Sequence, residues 1–312
     1  MSDADRTPAQ PSAPSPERSA QLKGALATAA LRLVALLPWR LNRWLGGLLG
    51  HLAAALPGRH RHITRVNIRL CFPELDARAQ RQLVRTSLVE DVRAAVEIGY
   101  VWHHPDATLD RVLSVEGDAP LREALASGQS VVLLVPHLGC WEVVNYWIGK
   151  HFSVHAMFAP SGLPQLDALV QRSREHFNST MYPANARGVA RLVRTLRQGS
   201  AMTGILPDQV ADEGSGRFAP FFGVPAYTGT LSVKLIAQTR ARVFVCTALR
   251  QPRGYRLVFS APDPAVHDED LDNALAALNR SVEAIVREAP EQYLWSYKRF
   301  RRATDGHQDP YK

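Results

Sequence analysis

Val131-Val-Leu-Leu-Val-Pro-His137-Leu-Gly-Cys-Trp-Glu142 is the stretch that decides the fold. Val131–Val135 is an unbroken apolar, β-branched run without polar alternation, the pattern of a strand buried on both faces. Pro136 stops the ladder because it has no N–H to donate. Gly139 allows a sharp turn, and a helical segment starts at about Cys140. The unit is therefore strand, turn, helix, with a histidine on the turn. Open α/β sheets bind their ligands in this position, beyond the carboxyl end of a strand. His137 and Glu142 are five positions apart, which on a straight helix is a rotation of about 140°, so they would not share a face. If His137 stays on the turn and Glu142 enters the first helical turn, the carboxylate can hold one imidazole nitrogen. The other nitrogen is then free as a general base. The competing structural reading is a core histidine at a helix start, with Glu142 as a favourable charge at the helix N-terminus.

Outward from this unit the pattern repeats. Helical segments are expected at roughly 76–102, 119–127, 140–150, 163–178, 187–198, 228–239 and 270–289. Between them lie the short apolar runs Val131–Val135, Val154–Phe158, Met202–Leu206, Arg242–Thr247 and Arg256–Ser260. The alternation predicts an α/β fold, a central mostly parallel or mixed sheet flanked by helices. Upstream, residues 22–56 are rich in Leu, Ala, Trp and Gly but interrupted by Lys23, Arg32, Arg40 and Arg43 and broken at Pro38. No piece reaches the ~18 uncharged apolar residues of a spanning helix. The reading is two amphipathic helices in a membrane interface, with Trp39 and Trp44 at headgroup depth; the alternative is a pair of ordinary core helices. A basic band follows at Arg59, His60, Arg61, His62, Arg65 and Arg69, suited to anionic lipid. The expected organisation is a disordered leader at 1–20, membrane-associating helices at 21–58, the catalytic domain at 59–303 and a frayed tail at 304–312.

Among 312 residues, 46% are hydrophobic, enough for a sizeable core. Lys and Arg number 37 against 29 Asp and Glu, a net charge of +8, which suits anionic partners. The three cysteines, Cys71, Cys140 and Cys246, are far apart and form no C-x-x-C pair, which argues against a disulfide framework or a structural zinc site. The pairs His60/His62 and His103/His104 have no neighbouring carboxylates or thiols to complete a metal site. No RNA-binding aromatic signature or helix-turn-helix pattern is present, so a nucleic-acid partner is not expected.

Beyond the His-x-x-x-x-Glu spacing, the chain resembles the lipid A biosynthesis (late) lauroyl/myristoyl acyltransferases, within the lysophospholipid acyltransferase superfamily. Five blocks carry the resemblance, in family order: Asn67-Ile-Arg-Leu-Cys-Phe-Pro-Glu74; His137-Leu-Gly-Cys-Trp-Glu142; Leu206-Pro-Asp-Gln209; Phe218-Ala-Pro-Phe-Phe-Gly-Val-Pro-Ala226; and Ala289-Pro-Glu-Gln-Tyr-Leu-Trp295 with the basic tail Lys298-Arg-Phe-Arg-Arg302. The resemblance implies O-acyl transfer from acyl carrier protein to a hydroxyl of a lipid A precursor or related glycolipid, at the cytoplasmic face of the inner membrane, without metal or organic cofactor. His137 would be the general base, Glu142 would orient it and Asp208 would complete the catalytic set. Arg187 would contact an anion or phosphate, and Gly139, Phe221 and Phe222 would contact substrate, the phenylalanines by lining an acyl-chain pocket. Arg299, Arg301 and Arg302 are candidates for carrier or headgroup contact. Two departures stand out: Cys140 where relatives often carry Asn, and Phe158-Ala159-Pro160 where they often carry Tyr-Arg-Pro, which removes one expected phosphate contact. Other readings stay open: an acyltransferase for another lysophospholipid or glycolipid, a thioesterase using Cys140 as nucleophile with His137 as base, or a non-catalytic membrane-binding protein.

Overall fold

The computed structural model describes residues 16–302 and 309–312. The chain opens with α1 (Pro16–Ala35) and α2 (Trp39–Ala55), bent by 118° at the break around Pro38. Next come α3 (Arg59–Cys71), α4 (Ala77–His103) and the short α5 (Pro105–Leu109). The α/β portion runs β1 (Val112–Glu116), α6 (Ala119–Ala126), β2 (Val131–Leu134), α7 (Trp141–His151), β3 (Val154–Phe158), α8 (Pro164–Arg174), β4 (Ser179–Pro183), α9 (Ala186–Arg197) and β5 (Met202–Ile205). It ends with the hairpin β6 (Gly216–Phe221) and β7 (Val224–Gly229), then α10 (Leu231–Thr239), β8 (Arg242–Gln251), β9 (Gly254–Ser260) and α11 (Leu271–Val286).

Seven strands form one sheet in the order β1-β9-β8-β2-β5-β3-β4. Every pairing is parallel except the β8–β9 hairpin. The expected mixed, mostly parallel sheet is thus present, and β2 lies near its middle with Val131–Leu134 fully buried. All five expected strands exist. Patterning missed β1 and β4, which lie at the two edges of the sheet and have exposed or half-buried residues instead of an apolar run. It also missed the separate β6–β7 ribbon, whose Phe218–Ala226 block had been read only as a motif.

The N-terminal helices pack on α4. Gly46 and Gly50, one turn apart on α2, meet Arg93 and Val89 of α4 so closely that a Cβ on Gly50 would lie 2.7 Å from the Val89 carbonyl oxygen. Trp39 corrects one expectation. It is not at a membrane surface but buried, between the guanidinium groups of Arg43 and Arg111 at 4.9 and 4.5 Å. Arg43 reaches the buried Glu97 of α4, which also accepts from Arg250 Nε at 2.6 Å and Tyr255 OH at 2.8 Å. A charge enclosed this deeply persists only when paired and hydrogen-bonded, so the cluster ties the N-terminal hairpin to β8 and β9. Residues 16–20 of the expected disordered leader are helical, the start of α1, while residues 1–15 lie outside the described residues, as do 303 and 304–308 of the tail. The last four residues are not frayed: Tyr311 is buried, its OH accepts from the Phe300 N–H at 3.0 Å, and it hydrogen-bonds Asn67.

Candidate active site

Sheet register brings the chemistry together. β2 and β5 are adjacent and parallel, with Leu134 opposite Ile205. His137 and Asp208 each lie three residues past that pair, and each follows a proline. Equal excursions from equal starting points deliver both side chains to one spot at the carboxyl edge of the sheet. Asp208 accepts from the His137 backbone N–H at 2.8 Å and from the imidazole Nδ1 at 2.9 Å. With Nδ1 donating, Nε2 is the lone-pair nitrogen, and it takes the side-chain N–H of exposed Gln209 at 3.1 Å. Trp141 packs against the imidazole edge-to-face, 4.9 Å between centroids. Asp208 is buried, which pushes its pKa up, but the His137 ring and the donors around it outweigh burial and hold the carboxyl below the usual carboxylate range.

Glu142 does not orient the imidazole. It lies in the first turn of α7, buried, and its carboxylate receives Arg174 of α8: Nη2 to Oε1 at 2.6 Å, and Nε to both oxygens at 3.1 and 3.2 Å. The physical reason is directional. His137 is on the turn with Nδ1 committed to Asp208, while Glu142 leaves the helix toward α8. The contact with the imidazole expected of Glu142 is made by Asp208. Arg174 was missed, and no local signal marks it among the charges of Gln171-Arg172-Ser173-Arg174.

Gly139 is required by the backbone rather than by substrate. Its φ is +61°, and a Cβ there would meet the Ala248 carbonyl oxygen at 2.2 Å. Its N–H donates to the Gln292 carbonyl, so it is not free for a ligand. The fifth block supports the turn. The Leu294 N–H donates to the His137 carbonyl at 3.1 Å, and the Gln292 amide brackets the backbone of Arg250 at 2.8 and 3.1 Å. Asn67 of the first block donates to the carbonyls of Trp295 and Tyr297 at 2.7 and 2.8 Å. Blocks distant in sequence therefore meet as supports of one turn.

Other expected site residues fall elsewhere. Phe221 and Phe222 are core residues, packed on Phe72, Tyr293, Trp295 and Phe300, because the tight β6–β7 turn points them inward against α11. The apolar crevice beside Glu142 is lined instead by residues including Trp141, Ile148, Met157, Met181 and Leu206, and at about 60 Å³ it is too narrow as it stands for a fatty acyl chain. Arg187 is exposed in the first turn of α9, beyond β4. It shares the carboxyl edge with His137 but lies three strands along the sheet. Arg299 is buried and spends its guanidinium on the Tyr227 carbonyl and Thr228 hydroxyl, both at 2.8 Å, so it holds the β6–β7 ribbon rather than meeting a partner. Cys140 is buried at the start of α7 and burial pushes its thiol far up. The His137 ring nitrogens face Asp208 and Gln209 rather than this thiol, so the two lack the arrangement of a nucleophile and its base.

The model for bacterial lipid A biosynthesis acyltransferases matches residues 17–302. The chain belongs to that family. It is an acyltransferase of lipid A biosynthesis. Among curated relatives, it is 29% identical over 269 residues to a lipid A biosynthesis palmitoleoyltransferase of Escherichia coli K12, covering 85% of this chain and 86% of the relative. A lauroyltransferase of the same organism is 26% identical over 284 residues, 90% and 92% of the two chains. A myristoyltransferase is 25% identical over 292 residues, 92% and 89%. Among solved structures, a 1-acyl-sn-glycerophosphate acyltransferase from Thermotoga maritima aligns over 86% of this chain and 98% of that one, with 12% identity and a TM-score of 0.37.

Proposed function

We propose that the acyltransferase moves a fatty acyl chain from the thioester of acyl carrier protein to a hydroxyl of a lipid A precursor, with His137 as general base. The observation that carries this reading is the His137–Asp208 pair at the carboxyl edge of β2 and β5. Asp208 fixes the tautomer, leaves Nε2 as proton acceptor and stabilises the imidazolium formed when the hydroxyl is deprotonated. Gln209 occupies the Nε2 lone pair from an exposed position, the place an incoming hydroxyl would take. The freed oxygen attacks the thioester carbonyl, and the proton held by His137 leaves with the thiolate. Glu142 and Arg174 act as positioning residues: their partly buried ion pair locks α7 to α8 and so holds Trp141 against the imidazole. Arg187 remains a proposed anion contact along the same edge.

The proposed setting is the cytoplasmic face of the inner membrane. Among the described residues no single helix is long and apolar enough to cross a bilayer; Ala20–Ala35 and Trp39–Ala55 satisfy length and composition only as a bent pair. What supports association is the exposed apolar surface of the α1–α2 segment and its flanks, which includes Leu33, Leu36, Trp44, Leu52 and Leu56 and runs up to Arg59 and His60 at the start of α3. The relatives' names speak for a lipid A precursor as acceptor.

Mass spectrometry of lipids from cells lacking the protein tests the acceptor: lipid A should lose one acyl mass. A change confined to phospholipids would instead assign the enzyme to a different acceptor. His137→Ala should lower the transfer rate by about 10²–10⁴-fold; a fully active variant would refute His137 as base.

A further inference from the structure

Two rows of arginine face one another across the α3–α4 hairpin. Arg61, Arg65 and Arg69 stand four residues apart on α3, and Arg78, Arg81 and Arg85 stand three and four apart on α4. These spacings keep each row on one helical face. All six side chains are exposed, and they line a groove of about 1140 Å³. None of the six forms an ion pair among the described residues. The one carboxylate on the groove wall, Asp76, spends Oδ1 on capping α4 through the Ala79 N–H at 2.7 Å. Like charges repeated at i, i+4 oppose helix formation, so folding alone does not account for the rows.

The shape of the groove selects among anions. Each row repeats every ~4.5–6 Å along its helix and extends about 10–12 Å. A planar bilayer meets a convex or flat basic surface, not the floor of a concave groove. A single phosphate is held by donors that converge on it, not by two parallel lines. An acidic helix laid between the rows matches them, because its own carboxylates at i, i+3 and i, i+4 repeat at the same ~4.5–6 Å. We propose that the α3–α4 groove docks an acidic helix of the carrier protein that delivers the acyl thioester. The inference rests on the carrier being the donor, and it gives that partner a place. The groove is mechanically close to the chemistry: Asn67, on the opposite face of α3, holds the segment whose Leu294 N–H supports the His137 carbonyl.

The test compares one fatty acyl group presented on acyl carrier protein and on uncharged pantetheine, using the full chain and the variant Arg78→Glu/Arg81→Glu/Arg85→Glu. The expected result is a fall of about tenfold or more in kcat/KM with the carrier, as for loss of electrostatic steering, with the pantetheine donor changed less than about twofold. The wild-type preference for the carrier should also shrink as salt rises. A variant that keeps the wild-type preference overturns the groove as the dock. Equal losses on both donors overturn it too, because the arginines would then serve the fold or the acceptor. Loss of binding to anionic phospholipid vesicles with carrier kinetics intact assigns the groove to lipid phosphate and refutes the proposal. A wild type indifferent between the donors refutes the carrier reading itself, and that outcome is separable from the others before any variant is made.

Discussion

At the scale of single residues, the strand-end histidine proposed as base was legible, and the carboxylate beside it is not the one its spacing suggested. The strand-turn-helix pattern around His137 and the strand-end turn at Asp208 were both visible, but joining them takes the β2–β5 register, a long-range fact that no local spacing carries. The five-residue spacing of His137 and Glu142 suggested a pair, and side-chain direction overrules it: Glu142 turns to Arg174 and Asp208 takes Nδ1. The two carboxylates should therefore separate in mutagenesis. Asp208→Asn cannot favour the required tautomer, and kcat should fall by roughly 10³–10⁴-fold, as such a change does in other His–Asp pairs. Its pH dependence has a defined sign. Asp208 is held below the usual carboxylate range in the folded protein, so its stabilising contribution is complete above the unfolded value near ~4 and is lost as pH falls through the lower folded value. Urea midpoints measured from neutral pH downward should show a shallower acid loss in Asp208→Asn than in the wild type. Equal acid slopes would mean that the His137–Asp208 contact contributes nothing to the fold.

At the scale of elements, the strands buried on both faces were legible because burial removes their alternation, as in β2 with all four residues enclosed. Edge strands β1 and β4 were not, since half their residues face solvent and read as loop. The Phe218–Ala226 block shows the reverse failure. Its residues matched a motif, but which side chains point inward depends on a hairpin turn at Phe222 and Gly223, both at positive φ, that packs against α11. The α2–α4 contact rests on small residues whose purpose only appears when the helices are side by side. Gly50 lies against the Val89 backbone, with a Cβ 2.7 Å from its oxygen and 2.9 Å from its Cα. Backbone atoms cannot swing aside, so Gly50→Leu must push α2 off α4. The expected cost is about 1–3 kcal/mol, in the range for overpacking, with early proteolysis in the α1–α2 segment. A variant with wild-type melting and protease resistance would show that this contact is loose in solution.

At the scale of the molecule, the apolar and basic surfaces differ in chemistry and so have different proposed partners. The leucines exposed along the α1–α2 segment leave apolar surface next to Arg59 and His60 at the start of α3, the combination that favours the interfacial zone of an anionic bilayer. The arginine groove between α3 and α4 is concave and carries no large exposed apolar side chain. If the first surface seats the enzyme on the membrane, removing its apolar area must weaken vesicle binding without altering the site, since the contacts that hold His137 come from β2, β5 and the segment around Leu294. Leu33, Leu36 and Leu52 are 68%, 74% and 56% exposed, so each can transfer most of its side chain into lipid. At about 1–1.5 kcal/mol apiece, Leu33→Ser/Leu36→Ser/Leu52→Ser should reduce partitioning into anionic vesicles on the order of a hundredfold or more. Activity on detergent-dispersed acceptor should stay near wild type, because exposed leucines contribute little to folding. Unchanged vesicle binding would move the membrane contact away from α1 and α2. Lost activity in detergent would show that the hairpin shapes the site through its anchor at Trp39, Arg43 and Glu97.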